Sequence, residues 1–341
     1  MGTIAAMAVL LYSDDRFREH DTGPHHPERP ARIGAVELGL TEHGLSDALV
    51  RVEPRAATDD ELHLVHPERY VSSIERFAAG GGGHLDADTI VSTRSAEVAR
   101  LAAGAGVDAV ERLRAGEADA AFLAVRPPGH HATATRSMGF CLFNSAAVCA
   151  AALAETGAKV MVVDIDAHHG NGTQDIFYDR GDVTYVSWHQ DPLYPGTGHA
   201  EQWGTGDGVG ATLNLPMPPG ATGEHYRRSV EEIVAPLAER IGVDWLVISA
   251  GYDGHVHDPL TDLGLTSGDF ADLTLDLLQL VEPGHVVVFL EGGYELRAVA
   301  DSSAATVAAL LGDRLHPEAP SSGGPGSEAV RHVSAIRHRL D

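Results

Sequence analysis

The feature that most constrains this chain is a set of short runs in which nearly every residue is apolar and many are β-branched. They cover 7–12, 121–125, 160–165, 183–187, 245–250 and 286–290, bounded by Gly, Pro or Asp. Successive side chains of a strand point to opposite faces, so a run that is apolar throughout must be covered on both sides. That is the environment of a parallel sheet between helical layers. Between the runs lie Ala- and Leu-rich stretches at 95–114, 145–155, 226–240 and 267–281, with helical length and composition. The expected fold is α/β, a three-layer α/β/α arrangement around a mostly parallel central sheet.

At 341 residues the chain needs no disulfide or structural metal to hold a core. Cys141 and Cys149 cannot build a disulfide framework, and their spacing fits no zinc motif. A reducing, cytoplasmic location is the expectation. No run approaches the roughly 20 apolar residues of a membrane span. Lys and Arg number 24 against 49 Asp and Glu, a net charge of −25. Phosphate backbones and anionic lipids repel such a chain, so neither nucleic acid nor membrane is an expected partner. A homo-oligomer is compatible with the sequence. Residues 317–327 are rich in Pro, Gly and Ser and read as a linker. The expected division is a main domain at 1–314, then a flexible linker and short tail at 315–341, with a tail helix at 328–340 outside the core.

The chemistry-bearing residues gather at strand ends. Directly after the run at 160–163 comes Asp164-Ile165-Asp166-Ala167-His168-His169-Gly170-Asn171-Gly172. Alternation sends Asp164, Asp166 and His168 the same way. Three such groups at a strand's carboxyl end, where open α/β sheets bind ligands, make a metal site. The same alternation turns His169 away, so it reads as structural. Three more runs end similarly, in Arg126-Pro127-Pro128-Gly129-His130-His131, in Gly251-Tyr252-Asp253-Gly254-His255 and in Glu291-Gly292-Gly293-Tyr294. The glycines would let backbone approach a ligand closely. His255 could lie near the site, whereas His25, His26, His189, His199 and His257 have no chemistry assigned to them.

Together these segments, with His25-His26-Pro27-Glu28-Arg29, resemble the zinc-dependent histone deacetylase family, in its class II and bacterial amidohydrolase branch, of arginase/deacetylase fold. The resemblance implies one zinc held by Asp166, His168 and Asp253. It implies a histidine pair, His130 and His131, partnered by Asp164 and Asn171, and a transition-state tyrosine, Tyr294. Three ligands leave an open position for water and a carbonyl, and an Asp/His/Asp set would also accept Fe(II), Mn(II) or Co(II). His131 is expected to be the base, with an Asn partner that lets it titrate near neutral pH. His130, facing Asp164, would hold its proton. Tyr294 would donate to the oxyanion.

The resemblance further implies a channel lined by Phe140 and Tyr194, a Gly139 carbonyl facing the scissile amide, and contributions from Leu260 and Gly292. It implies a monovalent cation, K+, held at Asp164, Asp166, His168 and Ser187. The implied reaction is removal of acetyl or other acyl groups from a small acylated amine or acyl-lysine. Polyamine-selective relatives carry a glutamate where this chain has Leu260, which favours acetyl-lysine-like substrates over acetylpolyamines. Arginase-like enzymes share the fold but need two metals and a carboxylate two residues after the ligand histidine, where this chain has Gly170. A non-catalytic metal-binding or interaction protein is the alternative of another class.

Overall fold

The computed structural model describes residues 7–338. Ten strands occur among them: β1 (Val9–Tyr12), β2 (Leu49–Val52), β3 (Gly83–His84), β4 (Ile90–Val91), β5 (Ala120–Leu123), β6 (Val160–Asp164), β7 (Val183–Gln190), β8 (Thr212–Met217), β9 (Trp245–Ala250) and β10 (Val286–Leu290). β3 and β4 form a small antiparallel ribbon. The other eight make one sheet in the order β2-β1-β5-β10-β9-β6-β7-β8, with every pairing parallel. All residues of β1, β5, β6, β7, β9 and β10 are buried, as two-sided cover requires. Helices Ser95–Arg114 and Ser145–Ala154 pack together against the sheet. Helices Ala31–Glu42, Ser267–Leu278 and Leu296–Leu310 pack together as a second helical group. The three-layer α/β/α arrangement is the one expected.

Both outer strands lay outside the expected set, for physical reasons. β2 exposes Val50 and Arg51, so its pattern is not that of a buried strand. β8 contains Asn214 and Pro216, and a proline is tolerated there because an edge strand has one unpaired side. The expected helix at 226–240 is broken into helix Gly223–Ser229, a π-turn at Val230–Val234 and helix Ala235–Ile241. Pro236 removes one helical N–H, and the wider turn sits just before it.

The C-terminal segment differs from the loose tail expected. Val330, Val333 and Ile336 of helix Ser327–Arg337 are buried in the main core, and the helix packs on β8. The Pro/Gly/Ser-rich stretch before it is tied down. Ser321 donates its backbone N–H to Asp269, and the Gly323 carbonyl accepts from Thr222 Oγ1 at 2.8 Å. Such composition signals irregular backbone, not absence of partners. Residues 1–6 and the last three of the chain, the latter including the end of the expected tail helix, lie outside the described residues. Among those described, no helix is long and apolar enough to cross a membrane.

Candidate active site

In an all-parallel sheet every strand delivers its following loop to the same edge. β5, β10, β9 and β6 are consecutive across the middle of this sheet. The four segments singled out in the sequence therefore meet at one place. After β6, the ladder continues for one more bond, Ile165 N to Ser249 O at 2.9 Å, and the chain then turns so that Asp166 and His168 face Asp253 from β9.

Asp166, His168 and Asp253 each offer a ligand atom, and these lie within 4.8 Å of one another. His168 Nδ1 is 3.1 Å from Asp166 Oδ1 and 3.0 Å from Asp253 Oδ2. Both carboxylates are fully buried. Backbone N–H groups support them. Ala167 donates to Asp253 Oδ1 at 2.8 Å, His168 to Asp166 Oδ1 at 2.8 Å, and Gly292 to Asp166 Oδ2 at 2.8 Å. Burial pushes the Asp253 carboxyl up, and the nearby Asp166 charge adds to it. Burial works against charge on His168, but Asp253 and Asp166 outweigh it and raise the imidazole to about 10. A group of N and O donors that gathers this much negative charge in a dry pocket has the chemistry of a divalent-cation site.

His130 and His131 lie with ring centroids 4.0 Å apart. His130 Nδ1 donates to Asp164 Oδ2 at 3.0 Å, and His131 Nδ1 to Asn171 Oδ1 at 2.8 Å. Burial opposes a charge on His130, yet Asp164 and Asp166 prevail and hold its pKa well above the ordinary value. Burial pushes His131 well below the ordinary value, and His130 and His168 reinforce the shift. Against the near-neutral titration expected of His131, burial and the two neighbouring imidazoles favour its neutral form, and the Asn partner supplies no charge to oppose them. His169 turns away as expected, with Nε2 donating to Gln174 Oε1 at 3.0 Å and Nδ1 accepting from Thr197 Oγ1 at 2.7 Å.

A cavity of about 290 Å³ reaches this cluster. His131, His168 and Tyr294 line it, together with Gly139, Phe140 and Tyr194. Tyr194 and Leu260 are the more exposed members, at 39% each, and mark the mouth. The Tyr294 ring stands edge-on to Phe140 at 5.8 Å, and Tyr194 edge-on to His131 at 5.2 Å. Burial, with Asp253 and Asp166 nearby, pushes the Tyr294 hydroxyl well above the ordinary phenol value, so it keeps its proton. The Gly139 carbonyl accepts Cys141 Sγ–H at 3.3 Å. Gly292 does not line the cavity. It packs against the carboxylates of Asp166 and Asp253. Ser187 sits directly across from Asp164 in the β6–β7 register, with its hydroxyl 2.9 Å from His189 Nδ1.

A match to the histone deacetylase domain covers residues 26–310. This chain belongs to the histone deacetylase family. It is 37% identical to a probable deacetylase of Archaeoglobus fulgidus, over 90% of this chain and 87% of that one. It is 38% identical to a histone deacetylase-like amidohydrolase of Pseudomonas aeruginosa, again over 90% and 87%. The crystal structure of the HDA15 HD domain superposes with a TM-score of 0.91 at 35% identity, covering 98% of this chain and 96% of that one. This histone deacetylase family member is accordingly a hydrolase of amide bonds with the arginase/deacetylase fold.

Several residues around the site carried no assigned role in the sequence. Glu291 Oε2 accepts the N–H groups of Gly129 at 2.6 Å and His130 at 3.2 Å, and Oε1 accepts from Ser249 Oγ at 3.2 Å. Glu28 is fully buried and pairs with Arg126, whose Nη2 donates to Oε2 at 2.7 Å. Pro27, Asp88 and Leu193 also line the cavity. His26 Nε2 donates to the Asp88 carbonyl at 3.0 Å, and its ring stands edge-on to Phe140 at 4.7 Å. Only Glu291 and Glu28 gave a signal, as charged residues beside buried strands or within the His25–Arg29 motif. His255 faces Glu318 instead of the cavity, with Nε2 donating at 2.7 Å.

The glycine at 292 is required by close approach. A Cβ there would lie 2.2 Å from Asp253 Oδ2 and 2.5 Å from Asp166 Oδ2. Gly292→Ala should therefore displace both carboxylates and cost on the order of 10²-fold in activity. Metal analysis of the purified variant checks this; a full complement of metal with wild-type turnover would show that the cradle tolerates a methyl group.

Proposed function

We propose that the protein is a single-zinc amidohydrolase that removes acetyl or other acyl groups from acylated amines, with acetyl-lysine-like side chains preferred. The observation that carries this reading is the cavity that puts His168, the neutral imidazole of His131 and the phenol of Tyr294 on one lining, beside the apolar walls of Phe140 and Tyr194. Asp166, His168 and Asp253 would hold the zinc, and Fe(II), Mn(II) or Co(II) suits the same donors. When bound, zinc polarises the acyl carbonyl and acidifies the attacking water. A second metal is disfavoured by Gly170, where a Cβ would already lie 2.1 Å from Asp164 Oδ2 and leave no room for a carboxylate.

His131 takes the water proton and returns it to the leaving amine, while Asn171 fixes its ring. His130 stays charged beside Asp164 and stabilises negative charge at the centre. Tyr294 donates its hydroxyl proton to the developing oxyanion. Phe140 and Tyr194 flank the aliphatic part of the substrate. A cytoplasmic setting is part of the proposal and rests on the free, buried Cys141 and Cys149. The net charge of −25 speaks against nucleic acid as partner. K+ at Asp164, Asp166, His168 and Ser187 rests on the family resemblance.

Acetylpolyamine hydrolysis is the second reading, and Asp88 on the cavity lining is compatible with it. Its carboxylate at the cavity could take a distal ammonium, or equally the N–H groups of a peptide. Leu260 offers the mouth only apolar contact.

Metal, residue and substrate tests bear on these assignments. A strong chelator should abolish activity and one equivalent of zinc restore it. With His168 held up to about 10 before zinc enters, zinc uptake at pH 7 should release at least one proton, and affinity should fall with pH. Calorimetry in buffers of different ionisation enthalpy counts that proton; zero release would contradict the site.

Tyr294→Phe should lower kcat by about 10² to 10³ with zinc retained. His131→Ala should be nearly inactive. Because the His131 pKa is depressed, its base form is present above that value and lost as pH falls through it. The acid limb of kcat/KM should then lie below 6.5. A pH–rate profile with that limb above neutrality would speak against His131 as the base.

Acetyl-lysine peptides should give a higher kcat/KM than N8-type acetylated polyamines, and Leu260→Glu should move the ratio toward polyamines. A tenfold wild-type preference for the polyamine, about 1.4 kcal/mol in transition-state binding, would overturn the substrate assignment.

A further inference from the structure

Tyr294 has to present its hydroxyl at a fixed point, yet the chain that carries it is short and rich in glycine. It leaves β10 through Glu291, Gly292 and Gly293, the last with φ of 112°, and enters helix Leu296–Leu310 two residues after the tyrosine. Gly292 is anchored by its carbonyl, which accepts the Tyr252 N–H at 3.1 Å. The main chain of Tyr294 itself is held by a side chain from elsewhere. Asp258 Oδ2 accepts the backbone N–H of Tyr294 at 2.7 Å and that of Glu295 at 3.2 Å.

Asp258 is 6% exposed, and no Arg, Lys or His pairs with it among the described residues. Three backbone N–H groups compensate it instead, since Oδ1 accepts from Leu260 at 3.0 Å. A buried carboxylate kept without a counter-charge is costly, and it is tolerated where its geometry is used. It sits on the loop that begins at Asp253 and is closed by a bond from Thr261 Oγ1 to the Asp253 carbonyl. One side chain thus joins the loop after a candidate ligand, the backbone of Leu260 at the mouth, and the backbone of Tyr294.

We propose that Asp258 is a positioning residue that fixes Tyr294 for oxyanion donation by clamping its main chain. The proposal rests on the reading of Tyr294 given above. Asp258 is not among the cavity-lining residues, and its influence on the reaction would run through the tyrosine. It follows that the mouth residue Leu260 and the oxyanion donor share one anchor.

The test is a double-mutant cycle in the zinc-loaded full chain, with an acetyl-lysine peptide, zinc analysis and thermal melting for every variant. Asp258→Asn keeps the shape, but its single oxygen cannot serve both Leu260 and the Tyr294–Glu295 pair, so an amino group faces N–H donors on one side and the charge is lost. It should lower kcat at least tenfold, leave KM within about threefold and retain zinc. In the Tyr294→Phe background the same change should cost less than about threefold, because residues acting through one group are not additive. Equal fold-losses in both backgrounds would overturn the clamp even if Tyr294→Phe is impaired, and so would loss of zinc or near wild-type kcat in Asp258→Asn. Near wild-type kcat in Tyr294→Phe alone would instead remove the reading of the tyrosine and the clamp with it. If Asp258→Asn does not fold, Asp258→Ser, which keeps one oxygen acceptor, is judged by the same criteria.

Discussion

The structure depends on keeping five carboxylates in a dry space. Asp164, Asp166, Asp253, Asp258 and Glu291 are all at most 6% exposed, and they cluster at the carboxyl ends of three adjacent strands. Unpaired, each would cost several kcal/mol. Main-chain N–H groups carry much of the compensation. Gly292 and His168 serve Asp166, Ala167 serves Asp253, Gly129 and His130 serve Glu291, and Tyr294 and Glu295 serve Asp258. His130 balances Asp164. The remaining excess sits at Asp166 and Asp253, where the proposed cation would stand. Folding and metal binding are coupled here, because the same charge that makes apo folding unfavourable makes metal binding favourable.

That arrangement is available only because the sheet is parallel at its centre. An antiparallel neighbour would send one of the four loops to the far edge. With β5, β10, β9 and β6 side by side, each loop needs only a few residues to reach the others. Short loops of this kind cannot carry large side chains everywhere. Gly170, Gly251 and Gly292 stand where a Cβ would meet a carboxylate oxygen at 2.1 to 2.2 Å. Their absent side chains are what let the acidic groups approach so closely.

What was legible in the sequence follows from the same physics. The candidate metal ligands and the histidine pair follow fully buried strands, so hydrophobic pattern and alternation locate the segments that carry them, while their roles came from the family resemblance. Asp166 and His168 face Asp253 and His169 faces away, as the alternation of β6 suggested, although the chain has already left the strand at these residues. Gly292, Asp258 and Glu291 were not legible in their roles. Their partners are backbone N–H groups and carboxylate oxygens from distant loops, and a main-chain donor leaves no mark on the residue that supplies it. The edge strands β2 and β8 and the docked segment around Glu318 and Ser321 were missed for a related reason. Half-exposed strands lose the apolar run, and irregular backbone tied by single hydrogen bonds has no period at all. The depressed pKa of His131 needed the neighbours His130 and His168, which only the fold brings to it.

The two adjacent histidines show how far environment outweighs residue type. Both are buried, and burial alone would drive the proton from each. For His130 the partner is Asp164, which is itself fully buried and so exerts a nearly unscreened attraction. For His131 the partner is the neutral Asn171, and the charges next to it are those of His130 and His168. A proton on His130 therefore helps to keep His131 free of one. In the proposed reaction the pair would work as one unit, the first ring holding positive charge and the second ready to accept a proton. Exchanging Asn171 for a carboxylate would raise the His131 pKa toward that of His130 and narrow the difference, while leaving the ring able to act as a base once deprotonated. The choice of one amide oxygen in place of one carboxylate oxygen, 2.8 Å from Nδ1, thus helps to set the two adjacent imidazoles apart in their hold on a proton.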